Sequence, residues 1–238
     1  MKKLAVTQNG VSVVLEQDDS KKKESLSIKG NYPDNALSRF LFSQLALVHL
    51  LIPHDPKTVQ CDFGISGQTR ALLKKMYGWE KRRLPKIESP LFVPQFDIPR
   101  TNSGKVAIAY SGGKDSMWNL WWASEKYGME NVSLIHVKNL NPGQNSEEAK
   151  YAERQFKEFG VKNHAIIELS NGSQNNGFAV MRSRDMFLAG ISVPVALVFG
   201  ASRILIEGFA EETDDEHFTG NSSNMRFFNG VLKAWHIP

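Results

Sequence analysis

The residues with the most chemical content lie mid-chain: Ser111-Gly112-Gly113-Lys114-Asp115-Ser116, directly after Lys105-Val106-Ala107-Ile108-Ala109-Tyr110. The apolar run reads as a strand, and a helix reaching to about Tyr127 opens right behind the hexapeptide. Two adjacent glycines let the backbone turn tightly and approach a ligand with no Cβ in the way. The freed amides then converge on one spot, and the start of the helix adds partial positive charge. The hydroxyls of Ser111 and Ser116 and the ammonium of Lys114 add donors, which makes an anion cradle of pyrophosphate size. The spacing is not that of a Walker A loop, which needs four residues between its first glycine and Gly-Lys-[Ser/Thr], nor of the dinucleotide Gly-x-Gly-x-x-Gly. An ordinary strand-to-helix turn capped by Ser111 and Asp115 would account for a double glycine, but not for the whole hexapeptide at the end of a strand.

The elements that must position this loop alternate. After its helix, Val132 to Val137 reads as a strand and Asn145 to Phe159 as a helix with Ala149, Ala152, Phe156 and Phe159 on one face. Ala165 to Leu169 is a strand, Arg184 to Phe199 an apolar helix interrupted by Pro194, Ile204 to Phe209 a strand, and Asn224 to Trp235 a last helix. Repeated strand–helix units imply an α/β fold with a doubly wound, mostly parallel sheet. Ligands of such sheets bind outside the carboxyl ends of the strands, where the strand order reverses.

The first hundred residues read differently, as a smaller α+β domain. Val11 to Leu15, Ser25 to Ile28 and Val59 to Ile65 are strand-like; Ala36 to Leu51 is a mostly buried helix capped by Asp34 or Asn35; Gln68 to Tyr77 is a second helix. Residues 84–104 carry Pro85, Pro90, Pro94 and Pro99, a spacing no helix survives, and read as an ordered linker. The expected division is therefore 1–100 and 101–238.

Composition sets outer bounds. With 41% hydrophobic and 23% charged residues the chain is ordinary globular material. No apolar run reaches the roughly 18 residues of a membrane span, and Met1-Lys2-Lys3-Leu4-Ala5-Val6 passes at once into polar residues, so a cytoplasmic protein without a signal peptide is expected. A single cysteine, Cys61, excludes an intrachain disulfide and reads as a small buried hydrophobe. A net charge of +4 suits a polyphosphate or nucleic-acid partner, although Lys21-Lys22-Lys23 reads as a solvated face. Beside Lys81-Arg82-Arg83, Tyr77 and Trp79 read as packed rather than as base-stacking residues. His49 and His54 read as structural. Trp118, Trp121 and Trp122, at i, i+3 and i+4, read as a core stripe.

The hexapeptide resembles the Ser-Gly-Gly-x-Asp-Ser signature of the PP-loop ATP pyrophosphatases, the adenine nucleotide α-hydrolase-like (HUP-like) superfamily. Further along, the chain looks like the 7-cyano-7-deazaguanine (preQ0) synthase branch. Ser183-Arg184-Asp185-Met186-Phe187-Leu188 matches the segment opening the third helix, with Arg184 at the family's arginine. Leu205-Ile206-Glu207-Gly208-Phe209-Ala210-Glu211 fits its Thr-Gly-x-x-x-Glu-like turn, and Phe218-Thr219-Gly220 through Phe228 keeps the frame of its last motif. The likeness runs from about Lys105 to Trp235. Departures are Ser223 and Met225, where the family has Asp and Arg, and Lys138-Asn139-Leu140-Asn141-Pro142-Gly143-Gln144 in place of a segment after the second strand. The family's zinc-binding cysteines would lie past Pro238, so the sequence reads as a chain whose C-terminal segment is absent or supplied by a protein partner. Extended relatives occur in anti-phage defence systems, and this chain looks closer to those.

The resemblance implies Mg²⁺-ATP on Ser111 to Ser116, with Asp115 as the metal candidate and Lys114, Asp115 and Arg184 as catalytic residues. His136 and Gly208 fall where the superfamily holds the nucleotide, with a packed strand histidine as the other reading of His136. The acidic run Glu211, Glu212, Asp214, Asp215 and Glu216 reads as a solvated loop. The implied reaction is adenylation of a small carboxylate, 7-carboxy-7-deazaguanine or another deazapurine, with release of pyrophosphate and transfer to ammonia or an amine. Three alternatives stay open at this point: a tRNA-modifying enzyme, a nucleotide-binding regulator, and an inactive subunit of a defence complex.

Overall fold

The computed structural model describes residues 3–17, 23–79, 81–90, 96, 98, 100–138, 145–171, 181–206, 222–234 and 237. The chain opens with a meander of three antiparallel strands, β1 (Lys3–Asn9), β2 (Ser12–Gln17) and β3 (Lys23–Gly30). Helix α1 (Ala36–Leu51) then crosses to β4 (Thr58–Cys61), parallel to β1, and α2 (Gly67–Trp79) leads to β5 (Lys86–Glu88), parallel to β4. Strand–helix units follow: β6 (Asn102–Ala109), α3 (Lys114–Tyr127), β7 (Val132–Lys138), α4 (Asn145–Glu158), β8 (Asn163–Asn171), α5 (Met181–Val198) and β9 (Ala201–Leu205), with α6 (Ser222–Ala234) last. The result is an α/β structure with a mixed, mostly parallel nine-stranded sheet in the order β5-β4-β1-β2-β3-β8-β7-β6-β9.

Alternation along the strands assigns the layers. Val106, Ile108, Val132 and Leu134 point to Leu120 and Ala123 of α3 and Ala152 and Phe156 of α4. On the other face, Val6, Val13, Ala107, Ile135 and Ile167 pack with α1, α2, α5 and α6 through residues such as Leu41, Leu72, Ile191 and Phe228. Helix α1 is buried almost all round, as an apolar helix between a sheet and a second helix must be. Its N-cap is Asn35, whose side-chain oxygen accepts from Ser38 N at 2.9 Å. Among the described residues no helix covers the far face of β1–β3; Thr7 and Lys29 are exposed there.

Three expectations change in this frame. The division near residue 100 does not divide the sheet or the core: β3 pairs with β8 from Leu26↔Asn171 to Gly30↔Ile167, and α1 shares a core with α5. The meander has one polar face and cannot bury its edge alone, and β8 offers a matching free edge. The proline-rich stretch includes strand β5, which tolerates flanking prolines because it is a sheet edge. Phe96 from the same stretch packs on Phe40, ring centroids 4.9 Å apart. Finally, Trp118, Trp121 and Trp122 are 61%, 53% and 37% exposed, so the tryptophan stripe is not core. The face α3 turns to the sheet is Ser116, Leu120 and Ala123, whose smaller side chains let the helix axis come close to β6 and β7.

Other readings hold. Cys61 is buried, and burial pushes its thiol up to about 12, so it is inert. Tyr77 is buried with its hydroxyl donating to Leu51 O at 2.9 Å, and Arg82 stacks on its ring at 4.5 Å while donating to the carbonyls of Ile52 and His54. Those contacts satisfy carbonyls at and just beyond the end of α1. The segments 18–22, 139–144 and 207–221, with Gly208 and the acidic run, lie outside the described residues.

Candidate functional site

Strand β6 sits between β7 and β9. From β6 the chain steps outward through β7 to β8, then returns to β9 on the other side. The strand order therefore reverses at β6, with α3 and α4 on one face and α5 on the other. In doubly wound sheets the carboxyl ends of the strands at such a reversal are where ligands bind. The hexapeptide Ser111 to Ser116 is the segment that emerges there.

Its backbone is held from within. Tyr110 N extends the ladder to Ile135 O at 2.8 Å, after which the chain leaves the sheet. Gly112 has φ +84°, a conformation that favours glycine, and a Cβ there would press on Gln155 Oε1 of α4 at 3.0 Å. Ser116 is completely buried. Its hydroxyl donates to Gly113 O at 2.9 Å and accepts from Gly112 N at 3.1 Å and from Ser111 Oγ at 3.2 Å. A hydroxyl carries one proton, and this one is committed to Gly113. Ser116 is thus a staple that shapes the turn rather than a donor open to a ligand.

What stays open is the start of α3. Its N-cap is Gly113, and no side chain caps the first turn. The amides of Lys114, Asp115 and Ser116 therefore form an uncapped helix N-terminus, the arrangement that accepts anions. Lys114 and Asp115 are both exposed on that turn.

A scaffold that the sequence did not announce supports the loop. Tyr110 is buried, donates its hydroxyl to Gln155 Oε1 at 2.9 Å, and packs its ring on Phe156 at 5.8 Å. Burial pushes its phenol up to about 12, so it remains a donor at neutral pH. Gln155 in turn reaches Met117 Sδ at 3.6 Å, tying α4 to the first turn of α3. The available signal was a polar residue beside Ala152 and Phe156 on the apolar face of α4. His136 is buried, with Nδ1 2.9 Å from Tyr110 O; a carbonyl only accepts, so Nδ1 carries the proton. His136 thereby anchors the last residue before the loop.

Arg184 lies in the first turn of α5, which follows β8; its side chain lies outside the described residues, as does Gly208. Because β6 and β8 both run parallel to β7, the start of α5 is on the same edge of the sheet as the loop. The described structure thus brings Ser111 to Ser116 and His136 together and puts Arg184 on their side of the sheet. Among the described residues no group of three His, Cys, Asp or Glu side chains could hold a metal. A cation at this loop would take Asp115 and otherwise depend on ligand oxygens and water. In comparisons with known proteins, no family model and no curated protein matched the chain.

Proposed function

We propose that the chain is an ATP-dependent ligase-like enzyme of the PP-loop, HUP-like type, splitting Mg²⁺-ATP between the α- and β-phosphates to activate a small carboxylate. The observation that carries this reading is an uncapped helix N-terminus behind a double-glycine turn, at the reversal of strand order. The residues fit the group: the first turn of α3 offers backbone amides with no side-chain cap, and one acid and one ammonium stand exposed on that turn.

In this mechanism the amides of α3 and Lys114 bind the polyphosphate. Asp115 holds Mg²⁺, which supplies charge neutralisation on the phosphate oxygens. A carboxylate oxygen attacks the α-phosphorus, the bond to the bridging oxygen breaks, and pyrophosphate leaves. Lys114 and Arg184 offset the charge that develops in that step. An amine or ammonia then attacks the acyl carbon and AMP leaves. The likeness to the deazaguanine synthase branch makes a deazapurine carboxylate the first substrate to try. Tyr110, Gln155, His136 and Ser116 keep the loop in one shape, so that the amides need no rearrangement when ligand arrives.

Chromatography of products from ATP and candidate carboxylates tests the reading, with AMP and pyrophosphate expected. Production of ADP and phosphate instead would contradict it. Calorimetry should show ATP binding by the wild type and its loss in Asp115→Ala and Gly113→Val; unchanged affinity in both would remove the loop assignment.

A further inference from the structure

The face of α3 turned away from the sheet has no covering element among the described residues. Met117 is 40%, Trp118 61%, Trp121 53% and Trp122 37% exposed, and Tyr151 of α4 adds a half-exposed ring beside Gly112. Trp118 and Trp121 touch, with centroids 4.7 Å apart. The Gln155–Met117 contact makes the surface continuous from α3 to α4. We propose that this surface is a homodimer interface, in which α3 packs against α3 of a second copy in antiparallel orientation about a two-fold axis near Trp121.

Two observations select a second copy as the occupant. The first is area. Taking about 250 Å² as the surface a fully buried tryptophan withdraws from water, these exposures leave roughly 500 Å² of apolar surface on the patch. Two copies would bury about 1,000 Å² before any rim residue is counted, which meets the lower threshold for a biological interface and exceeds most lattice contacts. Tryptophan, tyrosine and methionine are also the residues that concentrate at interface cores.

The second is charge. The exposed ends of α3 each carry both signs: Lys114 and Asp115 at the start, Glu125 and Lys126 at the close. A two-fold axis normal to the helix near Trp121 sets the start of one helix beside the close of the other, so each end faces an end of mixed sign and no like-charged cluster forms. Lys126 already leans over this face, its ammonium 4.6 Å from the Trp122 ring. The antiparallel arrangement also opposes the two helix dipoles favourably. The neighbouring cations of α4 are paired on their own helix, Lys150 with Glu147 at 2.9 Å and Arg154 with Glu158 at 3.6 Å. The patch therefore lacks the unbalanced basic stripe a nucleic acid needs.

Sedimentation of the full chain without nucleotide, over a concentration series into the micromolar range, tests the interface independently of any ATP chemistry. A dimer is expected for the wild type and a monomer for Trp118→Glu and for Trp121→Glu, both with the wild-type far-ultraviolet dichroism because these side chains support no core. A wild type that stays monomeric, or a dimer that survives both substitutions, overturns the proposal. So does a monomer whose tryptophan fluorescence is quenched by oligothymidylate, which would make the patch a stacking surface. Orientation is read from cysteine pairs, Cys61 being buried: oxidation should link Trp121→Cys chains to each other and leave Glu125→Cys chains unlinked. Linking of Glu125→Cys chains instead would overturn the antiparallel arrangement.

Discussion

At the scale of single residues the loop is governed by what each group can still donate. Ser116 spends its proton on Gly113 O and receives Gly112 N, so its removal frees a turn rather than deleting a ligand contact. Ser116→Ala should cost about 1 kcal/mol in urea denaturation, since it removes the bonds that a part-buried turn makes to this hydroxyl, and should weaken ATP binding more through loop disorder than Ser111→Ala does. Gly112→Ala meets both a left-handed φ of +84° and the Gln155 side chain at 3.0 Å. It should abolish ATP binding in calorimetry while leaving a folded protein. His49 gives a further residue-level test. Burial pushes its imidazole from 6.5 down to about 4, although Glu24 pulls it upward. The folded state therefore resists a proton that the unfolded state takes up below pH 6.5. This contribution is complete above pH 6.5 and is lost as pH falls from there towards 4, by about 3 kcal/mol in all. Urea midpoints measured over that window should decline, and His49→Met should flatten the decline.

At the scale of elements, α3 shows how two apolar stripes on one helix compete for the core. Met117, Trp118, Trp121 and Trp122 make the more hydrophobic stripe, yet Ser116, Leu120 and Ala123 face the sheet. The helix follows directly from β6 through the four residues Tyr110 to Gly113, which fixes its rotation; bulky indoles on the inner side would also hold it too far from Val106 and Val132. Leu120→Ala should accordingly cost about 2–4 kcal/mol as a buried truncation, whereas Trp118→Ser, compared at protein concentrations dilute enough for monomers, should stay within about 0.5 kcal/mol of wild type. Chemical denaturation of the two variants side by side checks the assignment of faces.

At the scale of the whole molecule, the seam between β3 and β8 joins the first hundred residues to the rest. Gly30 lies on it with φ +86°, and a Cβ there would stand 2.5 Å from Ile166 O. The seam and the shared α1–α5 core predict one cooperative unfolding transition, with near- and far-ultraviolet dichroism coinciding. Gly30→Val should lower its midpoint without splitting it. Two separated transitions in the wild type would show that the halves fold independently despite their common sheet.

The helix Ala36–Leu51, the strand–loop–helix around Ser111 to Ser116 and the alternation of the second half were legible in the sequence, because periodicity, caps and glycine pairs act over a few neighbouring residues. β1 was not read as a strand, because Leu4 to Gln8 carries only a short apolar pattern and draws its order from β2 and β4. The union of both parts in one sheet, the choice of Leu120 over the tryptophans and the clamp of Tyr110, Gln155 and His136 on the loop join residues far apart in sequence. Local spacing contains no signal for such pairings; only the packing of layers on both faces of the sheet decides them.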